Sequence, residues 1–355
     1  MWPKTDLMDL LGIDHPIVQA PMAGSTTPAL VGAVSNAGGL GSLGCARQTP
    51  DGLRTINADI RKATNRPFNL NFFAHEEPDL DPAAAEEMRE RLAPYYKELG
   101  IGEVPPATVP YGGFDDAILE TMLDLRPPVI SFHFGLPDDA AVKALKEAGI
   151  ILIASATTVA EAKLLQSSGM DAVIAQGYEA GGHRGTFAGP METGTVSTFP
   201  LVPQVVDAVD VPVIAAGGIA DGRGIAAALA LGASGVQMGT AFLTCPEASV
   251  HAVWQKQILE GQAEDTMVTA LSSGRPARLV RNRLYTELAD LEHDAPPFPV
   301  HYSLVAPLRT AGGSQDTPDF QAMYAGQAMA MNRAMPAADL IETLVAETRD
   351  VLSKL

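Results

Sequence analysis

The apolar run Ala172-Val173-Ile174-Ala175-Gln176 passes directly into Gly177-Tyr178-Glu179-Ala180-Gly181-Gly182-His183-Arg184-Gly185. A short apolar run that ends at glycine reads as a buried strand of a parallel sheet. The glycine-rich continuation then puts one histidine at the strand's C-terminal end, where α/β enzymes keep their chemistry. Glycines on both sides of His183 let the backbone approach a flat or anionic ligand, which Cβ atoms at every position would obstruct. Two more junctions have the same form: Val213-Ile214-Ala215-Ala216-Gly217-Gly218 and Gly235-Val236-Gln237-Met238-Gly239-Thr240. Their amide N–H groups are suited to face a phosphate. One histidine and two phosphate cradles imply a cofactor enzyme.

Working outward, short apolar runs recur at Pro16 to Ala20, Leu40 to Leu43, Phe68 to Phe73, Val129 to Phe132, Ile151 to Ser155, Ala172 to Gln176, Val213 to Ala216 and Val236 to Gly239. The segments between them are long enough for one helix each, so the rhythm predicts βα units closing into an α/β, TIM-type (β/α)8 barrel. Helix starts are marked by Thr157-Thr158 before Glu161 and by Asp221 before the alanine-rich stretch from Gly224 to Leu231. The third unit is irregular: a charged helical stretch from Pro82 to Leu99, a Pro/Gly-rich loop from Val104 to Gly113, and a second helix near Asp115 to Leu125. From about Thr244 to Asp316 the rhythm stops, and Ala295-Pro296-Pro297-Phe298-Pro299 reads as a connection within a lobe. The expected organisation is a barrel over 1–243, a small inserted lobe after strand eight over 244–316, and C-terminal helices over 317–355 packing on the barrel, with helical stretches at Asp319 to Met331 and Ala337 to Leu352.

A length of 355 residues suits one barrel with an inserted lobe, and 46% hydrophobic residues support a large core. The net charge of −18 argues against nucleic acid or an anionic membrane as partner, since both need clustered Lys and Arg. An anionic cofactor must then be held by backbone amides and local polar groups, because the field of the whole chain opposes it. Cys45 and Cys245 are far apart and outside any CxxC, which fits a reducing cytoplasm and two small buried hydrophobes. The opening Met1-Trp2-Pro3-Lys4-Thr5-Asp6 lacks the basic start and apolar core of a signal peptide, and no charge-free run of 18 apolar residues occurs. The expectation is a cytoplasmic enzyme, monomeric or homodimeric, acting on a small molecule. No His/Cys/carboxylate cluster has metal-ligand spacing, and GxGxxG, GxxxxGK[ST] and GxSxG are all absent.

In a barrel, chemistry belongs at the C-terminal strand ends. Pro21-Met22-Ala23-Gly24 follows strand one, and Asn69 and Asn71 alternate with Leu70 and Phe72 so that both amides face one side. His133, Ser155 and Gln176 end strands four, five and six. Gly217-Gly218 and Gly239-Thr240 follow strands seven and eight, where barrel enzymes frequently place a phosphate. Plainer roles compete. The asparagines also suit a hydrogen-bonded interior layer, Met22 suits packing, Gly38-Gly39 suits a helix end, and His133 between two phenylalanines suits a structural histidine as well as a substrate contact. His15, His75, His251, His293 and His301 lack such a setting.

Six motifs in order closely resemble the nitronate monooxygenase family, formerly 2-nitropropane dioxygenases, and class I in particular: Gln19 to Gly24, Asn69 to Phe73, Ser131-Phe132-His133-Phe134-Gly135-Leu136-Pro137, Gly181 to Gly185, Ala215 to Ile219, and Gln237-Met238-Gly239-Thr240. The resemblance spans Leu11 to about Ala330 and implies an FMN-containing barrel whose added lobe covers the flavin. It implies that Ala20, Pro21 and Met22 line the flavin ring, and that Asn71, Gln176 and Gln237 contact its polar edge or ribityl chain. Gly181, Gly182, Gly217, Gly218, Gly239 and Thr240 would hold the phosphate region, in agreement with the residue-level view. His183 matches the family's active-site histidine, a base on neutral nitroalkanes or a contact to the nitronate, and His133 matches a second. Tyr111, Tyr302 and Tyr324 are pocket residues by analogy. Class I members can carry a lysine on the tyrosine-bearing lobe segment, whereas Pro299 to Arg309 contains none.

The implied reaction is FMN-dependent oxidation of an alkyl nitronate, propionate 3-nitronate by family precedent, with O₂ to a carbonyl compound and nitrite, which would make the role detoxification. The alternative within flavin barrels is an NAD(P)H-dependent FMN quinone or enoyl-acyl carrier protein reductase. A phosphate-binding isomerase or lyase, and an FMN-retaining sensor, are rivals of other classes.

Overall fold

The computed structural model describes residues 4–354. The start Met1 to Pro3, on which part of the signal-peptide expectation rests, lies outside the described residues. Eleven strands occur among them: β1 (Ile17–Gln19), β2 (Gly41–Gly44), β3 (Phe68–Phe73), β4 (Val129–His133), β5 (Ile151–Ala156), β6 (Ala172–Gln176), β7 (Gly182–His183), β8 (Val213–Ala216), β9 (Gly235–Met238), β10 (Thr266–Thr269) and β11 (Ala277–Val280). Eight of them pair in parallel in the order β1-β9-β8-β6-β5-β4-β3-β2. The sheet closes where Gln19 N–H donates to Leu40 O at 3.0 Å and Leu40 N–H donates to Ile17 O at 2.9 Å. This is a TIM-type barrel, and each of the eight runs expected as a strand forms one.

Strand alternation explains why those runs are apolar on both faces. In β6, Ala172 and Ile174 point into the barrel with Val18, Leu40, Val129, Ile153 and Ile214, while Val173 and Ala175 pack outward under the helices. The helix Asp6–Leu11 plugs the N-terminal end with Leu7 and Leu11. Helix starts follow the capping residues: the Thr158 side chain accepts from Glu161 N–H, and Asp221 accepts from Arg223 and Gly224 N–H. Caps of this kind contribute roughly 1 kcal/mol each.

A second core lies over the C-terminal face. It joins Leu271, Leu279, Leu284, Tyr285, Leu304 and Leu308 to Met88, Leu92 and Tyr96 of the helix Pro82–Leu99. The third βα unit therefore contributes to the lobe, beyond the 244–316 stretch expected from sequence. Its sheet is antiparallel in the order β10-β11-β7, with Ala277 opposite His183. At the C-terminus, Leu340, Ile341 and Leu344 of the helix Ala337–Lys354 join the outer core of the barrel.

The stretch from Asp319 to Met331 is not helical as expected. It holds two short 3-10 turns, Pro318–Phe320 and Met329–Met331, around extended backbone. Pairing with β11 overrides local propensity there: Val280 N–H donates to Met323 O at 2.8 Å, and Asn282 Nδ2 donates to Gln321 O at 2.8 Å.

Candidate active site

The C-terminal strand ends and the lobe enclose a cleft of about 1480 Å³, its open mouth included. The residues expected to contact the flavin, act on substrate or line the pocket come together there, whereas Asn69 lies outside the cleft lining, its Nδ2 donating to Ser131 Oγ at 2.8 Å in the buried interior. Ala20, Pro21 and Met22 arrive from β1, Asn71 from β3, His133 from β4 and Gln176 from β6. Gly181, Gly182 and His183 follow β6, Gly217 and Gly218 follow β8, and Gln237, Gly239 and Thr240 come from β9 and the turn after it. Tyr111, Tyr302 and Tyr324 close the lobe side.

The turn after β8 requires glycine for its backbone conformation and for close packing. Gly217 and Gly218 adopt φ of 112° and 70°, and a Cβ on Gly217 would fall 2.9 Å from Thr198 Oγ1 and 3.0 Å from Ala180 N. Their N–H groups, with that of Gly239, donate to no protein acceptor among the described residues. The buried Gln237 Oε1 is likewise without a protein partner. The glycine N–H groups are open to the cleft and the buried Gln237 Oε1 is unpaired, so the cleft offers donors for an anionic end and an acceptor for a hydrogen-bonding edge. Among the described residues, no group of three or more His, Cys, Asp or Glu is placed to hold a metal ion.

His183 is fixed at both its ring and its backbone. Its Nε2 lies 2.7 Å from Ser273 Oγ. Its carbonyl accepts from Gln176 Nε2 at 2.9 Å and lies 3.2 Å from His133 Nε2. Since a carbonyl only accepts, His133 carries its proton on Nε2 and contacts the backbone of His183 instead of its ring. Gln176 Oε1 accepts Gly185 N–H at 2.8 Å, so one amide spans the His183 turn. Burial, followed by the Arg275 charge, pushes His133 down to about 3. Burial, then His133, Arg275 and Arg309, hold His183 well below the ordinary histidine range. The neutral imidazole of His183 is therefore favoured over the imidazolium.

The long segment after β6 is held by charged side chains that bond to the backbone, with Glu161 and Glu179 acting on the arginines at longer range than a direct ion pair. Arg184, 2% exposed, donates to Gly177 O at 2.7 Å, Gln176 O at 3.0 Å and Gly194 O at 2.8 Å. Arg278 donates to Tyr178 O at 3.0 Å and Thr266 Oγ1 at 2.9 Å. Arg275 donates to Thr186 O and stacks 4.1 Å over the Phe134 ring. Conversely, the buried Glu161 carboxylate accepts from the N–H groups of Thr157 at 2.7 Å, Phe187 at 2.6 Å and Ala188 at 3.1 Å. Charge-assisted bonds to backbone are stronger than neutral ones, so this loop is a rigid mount for His183.

Several contributors carried no sequence signal. Phe73, Phe134 and Phe298 surround the His183 ring at centroid distances of 6.2, 5.6 and 5.5 Å. His75, given no role from sequence, backs this wall, 5.0 Å from Phe298, and burial pushes it down to about 4. Ser273 sits in the lobe, 90 residues away from the histidine it holds. His301, also given no role, is fully buried with Nε2 2.7 Å from Leu271 O and serves packing.

Comparison with known proteins gives a consistent picture. The nitronate monooxygenase family profile matches residues 4–347. A nitronate monooxygenase of Paraburkholderia phytofirmans is 43% identical over 99% of this chain and 97% of its own. One of Pseudomonas aeruginosa is 44% identical over 96% and 98%. Among solved structures, nitroalkane oxidase from Streptomyces ansochromogenes superposes with a TM-score of 0.89 at 39% identity, covering 98% of this chain and 99% of that one. FabK from Thermotoga maritima is more distant, with a TM-score of 0.79 at 31% identity over 99% and 98%. With a profile match along almost its whole length and relatives above 40% identity, this chain belongs to the nitronate monooxygenase family and is an oxidoreductase.

Proposed function

We propose that the enzyme holds FMN in the cleft and oxidises alkyl nitronates, propionate 3-nitronate among them, with O₂ to a carbonyl compound and nitrite. The observation that carries this is His183, walled by aromatic rings and bonded to Ser273, in the same cleft as glycine N–H groups that donate to no protein acceptor among the described residues. Bound FMN supplies the electron acceptor and the path to O₂. The N–H groups of Gly217, Gly218 and Gly239 would hold its phosphate end, with Asn71, Gln176 and Gln237 as polar contacts.

His183 then serves either form of substrate. A nitronate is already deprotonated and needs only orientation and a donor, whereas a neutral nitroalkane needs a base. When the Ser273 hydroxyl donates to Arg275 O, 3.4 Å away, it accepts from His183 Nε2–H and leaves Nδ1 as a free base. When the hydroxyl turns to donate to Nε2, Nδ1–H becomes a donor for the nitronate. The cations Arg275 and Arg309 disfavour imidazolium but favour an anionic substrate. The phenylalanine wall excludes water and strengthens these interactions. Physiologically, this is removal of a toxic nitronate in the cytoplasm.

The test uses purified protein loaded with FMN, measuring nitrite release and O₂ uptake with propionate 3-nitronate and, separately, NADH consumption with a quinone or an enoyl thioester. Nitrite and O₂ stoichiometry with negligible NADH turnover is expected. Rapid NADH turnover without nitrite formation rejects the proposal in favour of the reductase.

A further inference from the structure

Glu179, in the glycine-rich stretch after β6, lies outside the cleft lining, and its carboxylate reaches the start of the helix Thr198–Val206. Ser197, at the N-cap of that helix, makes no side-chain cap bond. Glu179 Oε2 takes its place, accepting from Thr198 N–H at 2.8 Å and from the Thr198 hydroxyl at 2.9 Å. The carboxylate thereby fixes the Thr198 side chain against the end of β6, where a Cβ on Gly177 would fall 1.9 Å from the hydroxyl oxygen. From there Thr198 Oγ1 stands 2.9 Å from Gly217 O and 3.5 Å from Ala216 O. The hydroxyl hydrogen has the carboxylate and the Gly217 carbonyl at the same distance, and among the described residues Gly217 O has no other donor.

In a trans peptide the C=O and N–H groups point in opposite directions, so a carbonyl held on one side turns the N–H to the other. Both peptides of the turn after β8 are trans and are held in this way: Ala216 O accepts from Gly177 N–H at 2.8 Å, and Gly217 O faces Thr198. Their N–H groups, those of Gly217 and Gly218, point away from these anchors, and both glycines line the cleft. We infer that Glu179 and Thr198 are positioning residues for the phosphate of the cofactor, orienting the Gly217–Gly218 turn without touching the ligand. The sign of the charge makes this a sharp claim. A Cβ on Gly218 would fall 3.3 Å from that of Glu179, so the carboxylate stands close to the turn and its field alone would repel a phosphate. Arg184 and Arg278, on which Glu179 acts at longer range, offset that repulsion. The inference rests on the FMN binding proposed above and names the residues behind its phosphate turn.

The experiment titrates the full chain, freed of flavin, with FMN and with riboflavin, which lacks the phosphate, and follows flavin fluorescence. Urea midpoints are recorded for the same proteins. The wild type is expected to bind FMN more tightly than riboflavin. Thr198→Ala and Glu179→Ala should each cut that preference about ten-fold, as loss of an orienting hydrogen bond implies. Thr198→Ser keeps the hydroxyl and Glu179→Gln keeps an acceptor for Thr198 N–H, so both should hold the preference within about three-fold of wild type. An unchanged preference in Thr198→Ala or Glu179→Ala, or FMN and riboflavin weakened alike, overturns the positioning role whatever the urea midpoint, and leaves the FMN site standing. Tighter FMN binding by both glutamate variants overturns it in favour of simple repulsion. A wild type that binds FMN no better than riboflavin rejects the phosphate site itself, and the positioning role with it. The threonine and glutamate arms are read separately, so a variant that fails to fold leaves the other to decide.

Discussion

Replacing Arg184 with methionine tests whether the His183 loop is held by a buried cation bonded to carbonyls. Methionine keeps a long apolar stem, so the change removes donors more than volume. Three carbonyls lose a partner: those of Gly177, Gln176 and Gly194. Gly177 O keeps a second bond, from Ala180 N–H at 3.1 Å, and suffers least. An acceptor left with nothing costs about 1–3 kcal/mol, and one losing a second bond costs about 0.5–1.5 kcal/mol. Part of this is returned because the guanidinium no longer has to be buried, which currently pulls its pKa down to about 10. A net loss of about 2–4 kcal/mol follows, a large fraction of the roughly 5–15 kcal/mol that holds a protein folded. Urea denaturation of Arg184→Met and wild type, both saturated with FMN, should show the midpoint falling by about 1 M or more. Arg184→Lys should fall in between, since an ammonium reaches fewer of the three carbonyls. A shift below about 0.3 M for Arg184→Met would refute the clamp, because the loop would then be held by packing alone.

Further outcomes are expected elsewhere in the cleft and lobe. Gly217→Val places a branched side chain at a φ of 112° and against Thr198 Oγ1, so FMN affinity, read by flavin fluorescence on titration, should fall by about tenfold or more; an affinity within twofold would show that this turn does not cradle the cofactor. Ser273→Ala frees His183 Nε2 and should lower nitroalkane turnover by about tenfold at full flavin content, and an unaltered pH–rate profile would deny Ser273 control of the tautomer. His183→Asn is expected to keep FMN and lose most nitroalkane turnover; retained turnover rejects the base, and loss of flavin makes His183 structural. His301 is held down to about 4 by burial, below its unfolded value near 6.5, so the unfolded state takes up the proton first. Stability from this group is present above pH 6.5 and is lost as pH falls toward 4, by about 1.4 kcal/mol per unit. His301→Gln should flatten the stability slope between those limits, and an identical slope in the variant would remove His301 as its source.

What was legible in the sequence was what local pattern controls. The eight barrel strands are buried on both faces, so each had to be an apolar run, and each ends where glycine or a polar residue meets the cleft. Thr158 and Asp221 announced their helices because capping involves only neighbouring residues. What stayed hidden was non-local. β7 is two residues, Gly182 and His183, without apolar periodicity, and it exists only because β11 lies beside it. Ser273 reaches His183 across 90 residues of chain, and nothing about a serine beside Gly274 advertises that contact. The stretch around Tyr324 was expected to be helical, while pairing with β11 holds it extended. The sequence also carries Arg275, Arg278, Arg281 and Arg283 within nine residues of a chain that is acidic overall.

Of that cluster Arg275 acts on the cleft, while Arg283 is paired with Glu98 and Glu287 at the surface. A chain of net charge −18 should repel an anionic ligand at long range, which is why backbone amides and local polar groups were expected to hold one. Long-range repulsion is screened within about 8–10 Å at physiological ionic strength, however, and the cleft imposes its own sign at shorter range. Arg275 and Arg309 both act on His183, and Arg47 stands at the mouth. The nearby buried carboxylate, Glu161, has its charge spent on backbone N–H groups outside the cleft. The local field therefore opposes the global one, accepting anions and keeping the histidine neutral. A protonated His183 would attract a nitronate more strongly but would have no lone pair with which to act as a base. By placing the permanent charge on guanidiniums and leaving the imidazole neutral, the cleft separates attraction of the substrate from proton transfer, and the two functions can be altered independently by changing Arg309 or Ser273.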